Sequence, residues 1–167
     1  DSDNPDVFKL RAQVHQERNR PRLVYQCLVQ EIDIGGDTPE RLERFQNLIE
    51  DMVRQPRLHP LVLEGSELLR AYREDDPVAL TSEHEVERFK KTWKQRVLDL
   101  DAEAMHVAIT DERKAAALWR TVAEIQLAYG EHQDSALVSL NKALGAAPGD
   151  EAGLSLLRDV YEQSGRY

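Results

Sequence analysis

Glu103 and His106 form a Glu-x-x-His pair and are the residues best spaced for chemistry. Three positions apart on a helix, the two side chains project from one face, as metal ligands do in carboxylate-bridged di-iron bundles. Such a centre needs a second Glu-x-x-His and two more glutamates on facing helices, and the sequence has no second copy. His106 therefore reads as a surface or helix-end histidine. The other histidines, His15, His59, His84 and His132, are scattered with no His-x-x-x-His pair. The one cysteine, Cys27, excludes an internal disulfide framework and a multi-thiolate zinc site. It falls on an apolar stripe and reads as a small core residue rather than a nucleophile. No Gly-x-Ser-x-Gly elbow, phosphate-binding loop or dinucleotide fingerprint is present. The pair Asp75-Asp76 falls in a polar break, where a loop is expected. These patterns assign no catalytic residue, no metal and no cofactor, and the expectation is a non-enzymatic protein.

Charge narrows the partners. The 167 residues include 22 Lys and Arg against 31 Asp and Glu, a formal net charge of −9. Two basic clusters stand out against that background: Lys9, Arg11, Arg18, Arg20 and Arg22 with only Glu17 among them, and Arg88 to Arg96 interleaved with Phe89 and Trp93. Phosphate binding uses such charge, but Phe89 and Trp93 fall on an inward stripe and the chain as a whole is acidic. A solvated helix face or a contact with an acidic partner is the better reading than nucleic acid. With 41% hydrophobic and 32% charged residues the chain can build a core under a large wetted surface. Its longest unbroken apolar run is Ala115 to Trp119, too short for a membrane-spanning helix. No cationic segment leads into an apolar stretch near Asp1, and a cytoplasmic setting is the default expectation. The first residue, Asp1, and the ending Gly165-Arg166-Tyr167 suggest a piece of a longer chain.

The elements that must position these residues all carry helical periodicity, with no sustained strand alternation. Val7, Leu10 and Val14 predict one face of a first helix, broken at Asn19-Arg20-Pro21. Leu23, Val24, Cys27, Leu28 and Ile32 predict a second, closed at Gly35-Gly36. Thr38-Pro39-Glu40 is a start signal for a third, with Leu42, Phe45, Leu48, Ile49, Met52 and Val53 as its stripe. Pro56 ends that helix. His59-Pro60 opens the next, with Leu61, Gly65, Leu68, Leu69 and Tyr72 inward. After the break at Glu74 to Pro77, Ser82-Glu83-His84-Glu85 matches a capping box and predicts a helix start there. Val86, Phe89, Trp93, Val97 and Leu100 form its inner face, and Thr110-Asp111 caps the helix after it. The sum is an all-α chain of about eight helices joined by short links.

The stretch Ala116 to Pro148 resembles a tetratricopeptide repeat. Its first helix carries Leu118-Trp119, Val122 and Ala123 and closes at Tyr129-Gly130; its second carries Ala136, Leu140, Ala143 and Leu144 and ends in Gly145-Ala146-Ala147-Pro148. A second unit follows in step, with Glu151, Leu154, Leu157, Tyr161 and Gly165 at first-helix positions and Tyr167 after the turn. The first unit is one residue long between Trp119 and Ala136, Leu140 replaces a common aromatic, and Arg158 stands where a small residue is expected. The resemblance is clearest over residues 114–167. It implies helical hairpins stacked as an α-solenoid, in which residues 1–109 are a degenerate helical region of about five helices and residues 110–167 form repeat-like units, the last apparently truncated.

What the resemblance implies about function is a protein-interaction scaffold or adaptor that binds a peptide or partner helix in a groove or at an edge. Position by position, the groove side would include Arg120, Glu124 and Leu127, then Ser155, Asp159 and Glu162. Relatives that clamp a C-terminal carboxylate use Lys, Arg and Asn there. Glu124 and Asp159 depart from that pattern, and an acidic groove suits a basic or mixed ligand. Leu154, Leu157 and Tyr161 form a face whose usual second helix is missing. It would be covered by further chain, by a partner or by self-association. The alternatives are a compact helical bundle with a buried metal or small-molecule site, and a structural subunit of a large assembly.

Overall fold

A computed structural model describes residues 4–164, and among these the chain is all-α. The helices are α1 (Pro5–Glu17), α2 (Pro21–Gly35), α3 (Pro39–Met52), α4 (His59–Tyr72), α5 (Pro77–Val107), α6 (Glu112–Tyr129), α7 (Gln133–Ala146) and α8 (Glu151–Ser164), with one 3-10 turn at Pro56–Leu58. Gly165 and Tyr167, expected at the end of the second unit, lie outside the described residues. Five of the α-helices, α1 to α5, begin on or next to a proline. Proline lacks the amide that the first turn cannot satisfy, and its fixed φ suits that position. The chain forms two compact units, Asp1–Arg88 and Phe89–Tyr167, and the division falls within α5.

In the first unit, helices adjacent in sequence pack on one another, α1 on α2, α2 on α3 and α3 on α4. Their shared core holds Val24, Ile32, Phe45, Ile49, Met52, Val62 and Leu69, joined by Ala79 and Val86 from the start of α5. Gly65 of α4 is a site of close approach. A Cβ there would collide with Ile49 Cδ1 and come within 3.2 Å of the Tyr25 ring. On α1 the buried residues are Phe8 and Ala12, whereas Leu10 and Val14 are exposed. The expected stripe of Val7, Leu10 and Val14 is therefore rotated, because the small Ala12 is what lets α1 lie against α2.

The start of α5 also differs from expectation. Ser82 is inside the helix and buried, not a cap, because it continues an apolar stripe from Ala79 to Val86. The cap is Asp76, whose Oδ1 accepts from the amides of Val78 (3.1 Å) and Ala79 (3.0 Å). Its Oδ2 accepts from Gln46 Nε2 of α3 at 2.6 Å. Asp76, expected in a loop, is thus buried and ties the start of α5 to α3.

Among the described residues, Glu31 is the other buried acid. Both its oxygens accept from Arg44, at 2.9 Å for Oε2, and Arg41 lies 3.5 Å away, so α2 and α3 are joined by a compensated charge. His59 is buried at the start of α4, and its Nε2 donates to the Val53 carbonyl at 2.8 Å. A carbonyl only accepts, so Nε2 carries the proton. Burial pushes the pKa of His59 below the ordinary histidine range, partly opposed by that hydrogen bond. The folded chain thus holds His59 neutral where the unfolded chain takes up a proton. Stability is complete above the unfolded pKa of about 6.5 and is lost as pH falls from there through the folded value. We expect chemical denaturation of the whole chain to show this loss as pH falls from neutral, and His59→Gln to flatten it. An unchanged slope in the variant would remove His59 as the cause.

Candidate functional site

In the second unit, α7 packs against both α6 and α8. Small residues permit the approach: Ala115, Ala116 and Ala123 on α6 and Ala136 and Ala143 on α7 are all fully buried. Trp119 and Leu140 fill the space beside them. Phe89, Trp93, Val97 and Leu100 of α5 pack with Leu118, Val122 and Ile125 of α6. Tyr129 closes that layer against the Phe89 and Trp93 rings, with centroids at 5.3 and 6.2 Å.

Arg120, Glu124 and Leu127 are spaced by four and three residues and so share one stripe of α6. Leu127 packs on the cluster of Ala123, Leu140, Leu156 and Val160. Arg120 is joined to Asp150, just before α8, at 2.5 Å. Asp150 Oδ2 also accepts from the Gly153 amide at 3.2 Å, so this carboxylate both caps α8 and takes up the charge of Arg120. A shallow concavity of about 510 Å³ adjoins the pair, lined by Arg113, Ala117 and the Pro148–Gly149 turn among others. On α8, Ser155 and Glu162 are exposed and Asp159 is half-buried. Glu162 lies 3.8 Å from Arg158.

The inward residues of α8 are Gly153, Leu156 and Val160. Each stands one position before Leu154, Leu157 and Tyr161, where the repeat pattern places its first-helix residues. Gly153 allows the approach: a Cβ there would sit 3.2 Å from Leu144 Cδ2. In consequence Leu154 and Tyr161 are 47% and 41% exposed, and Leu157 is half-buried against the Leu140 cluster.

Asp101 is a polar centre that the sequence did not disclose. Its Oδ1 accepts from Trp119 Nε1 and from Lys142 Nζ, each at 2.9 Å, linking α5, α6 and α7. The Lys142 ammonium also lies 6.0 Å from the Trp119 ring centroid. Lys142, helped by the indole, holds the Asp101 carboxyl below the usual range against the opposing effect of burial. The three partners are 18 to 41 residues apart, and no local pattern marks such a pairing.

The sequence candidates for metal and nucleophilic chemistry sit as follows. Glu103 and His106 are exposed, and Glu103 lies 3.9 Å from Lys114. Among the described residues, no three His, Cys, Asp or Glu side chains come together to hold a metal. Cys27 is buried in the first core, and burial raises its thiol pKa, offset in part by Arg11. The first basic cluster divides: Arg11 lies over the Phe8 ring and Arg22 donates to the Arg57 carbonyl at 3.2 Å, while Lys9 and Arg20 line a cleft between α1 and α3. Among the described residues, no helix is long and apolar enough to cross a membrane.

No family model matches the chain, and no curated protein or solved structure shows significant similarity to it.

Replacing Asp101 with Ala leaves the buried Trp119 N–H unpartnered and should cost about 1–3 kcal/mol in denaturant titration. Because its folded pKa is depressed, the contribution of Asp101 is complete above the unfolded value of about 3.9 and is lost as pH falls through the folded one. The variant should therefore lose less stability than the parent on acidification below pH 4. Equal acid sensitivity in the two chains would assign the effect elsewhere.

Proposed function

We propose that this chain is a non-enzymatic interaction module, a stack of helical hairpins of the tetratricopeptide type that recognises a protein or peptide partner. The observation that carries this reading is α8, which is apolar on two sides. Leu156 and Val160 are buried against α6 and α7, while Leu154 and Tyr161 lie open and Leu157 sits between the two sides. A helix with one core-facing stripe needs no second apolar face, so the extra face suits docking. The close packing of α7 on α6 through alanines and on α8 through Gly153 supports the repeat assignment. Arg120, Glu124, Leu127, Ser155, Asp159 and Glu162 would form the flanking groove, with Arg120 largely committed to Asp150 and the remaining charge acidic. A basic or mixed segment, or a second copy of the chain, fits that side by charge. The proposed setting is the cytoplasm, where a buried free thiol such as Cys27 stays reduced.

The test is photo-crosslinking in the native cell, with a photoreactive phenylalanine analogue replacing Tyr161. We expect a discrete adduct to one protein or to a second copy, lost when Leu157→Glu is added. If the yield is no greater than from the same analogue at exposed Glu87, the α8 face is not a docking surface.

A further inference from the structure

We infer that the cleft between α1 and α3 in the first unit binds a short acidic segment of a partner protein, held through its side-chain carboxylates. The cleft has a volume of about 600 Å³ and is built from two facing helical stripes. Lys9, Ala12, Gln13 and Gln16 line it from α1, and Arg44, Leu48, Asp51 and Met52 line it from α3. Both sets follow three-and-four spacing, so each is a single face of its helix. Val24 and Leu28 of α2 form the floor, and the turn at Asn19-Arg20 and the residues Arg54-Gln55 close one end. From Arg44 to Met52 the helix rises about 12 Å, which accommodates about four residues of extended chain.

Charge selects the occupant. The lining carries four cations and one carboxylate, Asp51, in a chain whose net charge is −9. Arg44 is committed to the buried Glu31 and stiffens the wall. Lys9, Arg20 and Arg54 are exposed, and none has an ion-pair partner among the described residues. They stand at positions from which they can meet carboxylates spaced along a bound strand. Between them, the carboxamides of Gln13, Gln16, Asn47 and Gln55 can each donate to and accept from a peptide backbone. The floor is narrow and apolar, suited to one aliphatic side chain. A nucleic acid would be drawn by the same cations, but no aromatic side chain lines the cleft on which a base could stack.

This inference shares the recognition reading but lies in the other unit from α8, so the two assignments stand or fall separately. The probe is a fluorescein-labelled Glu-Glu-Leu-Asp-Glu peptide with an amidated C-terminus, titrated into the full chain by fluorescence anisotropy. A Lys-Lys-Leu-Lys-Lys peptide and a single-stranded oligonucleotide serve as comparisons. We expect saturable binding of the acidic peptide that weakens with added salt, falls roughly tenfold in Lys9→Glu/Arg54→Glu, and is unchanged in Leu157→Glu/Tyr161→Glu. Lys9→Gln/Arg54→Gln, a milder change at the same exposed sites, should give an intermediate loss, with circular dichroism verifying the fold of each variant. Amide resonances that move on binding should map to α1 and α3. No saturable binding of the acidic peptide, equal affinity in the charge-reversed variant, resonance changes confined to other helices, or tighter binding of the oligonucleotide would each overturn the assignment.

Discussion

The structure depends on how closely pairs of helices can approach. An isolated helical hairpin cannot bury its own apolar faces, so it is stable only when stacked on another. In the second unit the contact is made by Ala115, Ala116, Ala123, Ala136 and Ala143, none more than 1% exposed. Side chains this small bring backbones near enough for Trp119 and Leu140 to fill the remaining space at crystal-like density. In the first unit Gly65 and Ala12 take the same role for α4 and α1. Each surface feature follows from where these approaches are made. Packing α8 through Gly153, Leu156 and Val160 turns Leu154 and Tyr161 outward, and packing α1 through Ala12 leaves Lys9 and Gln16 facing across to α3.

Three buried or half-buried carboxylates then fix the helices within each unit. Asp76 caps α5 and reaches α3 through Gln46; Glu31 joins α2 to α3 through Arg44; Asp101 joins α5 to α6 and α7. Each accepts from at least two donors, and such hydrogen bonding is what lets a buried carboxylate be tolerated. Their contribution is to geometry more than to net stability, since an apolar replacement of similar volume is often no less stable. They hold the helix pairs of each unit in one register, which the proposed recognition surfaces would require.

The class of fold was legible in the sequence because hydrophobic period and helix punctuation are local signals. Pro21, Gly35-Gly36, Pro39, Pro56 and Asp111 mark the boundaries where they occur. Ser82 misled because a capping box is only a pattern of four residues. The same serine also sits four before Val86 and three after Ala79, and the buried stripe overrode the cap. Which face of α1 and of α8 turns inward was not legible, since both faces hold apolar residues and only contact with α2 or α7 selects one. The cleft was half-visible: Lys9 and Arg20 stood out as an unusual basic run, but Arg54, Asn47 and Gln55 join them only through the fold. The pairings of Asp101 with Lys142 and Trp119 had no local signature at all.

The surfaces proposed for recognition rest on close helix approach, and that approach can be measured directly. Ala136 is fully buried where α7 meets α6, whereas Ala152 is exposed on α8. Differential scanning calorimetry of Ala136→Leu and Ala152→Leu compares the same added volume in the two settings. Overpacking costs about 1–3 kcal/mol, and each kcal/mol lowers the melting temperature of a chain of 167 residues by about 2–4 °C. Such a drop is expected for Ala136→Leu, with Ala152→Leu melting like the parent. If the two variants melt together, the helices do not approach as closely as the alanines imply, and the surfaces derived from that packing lose their basis.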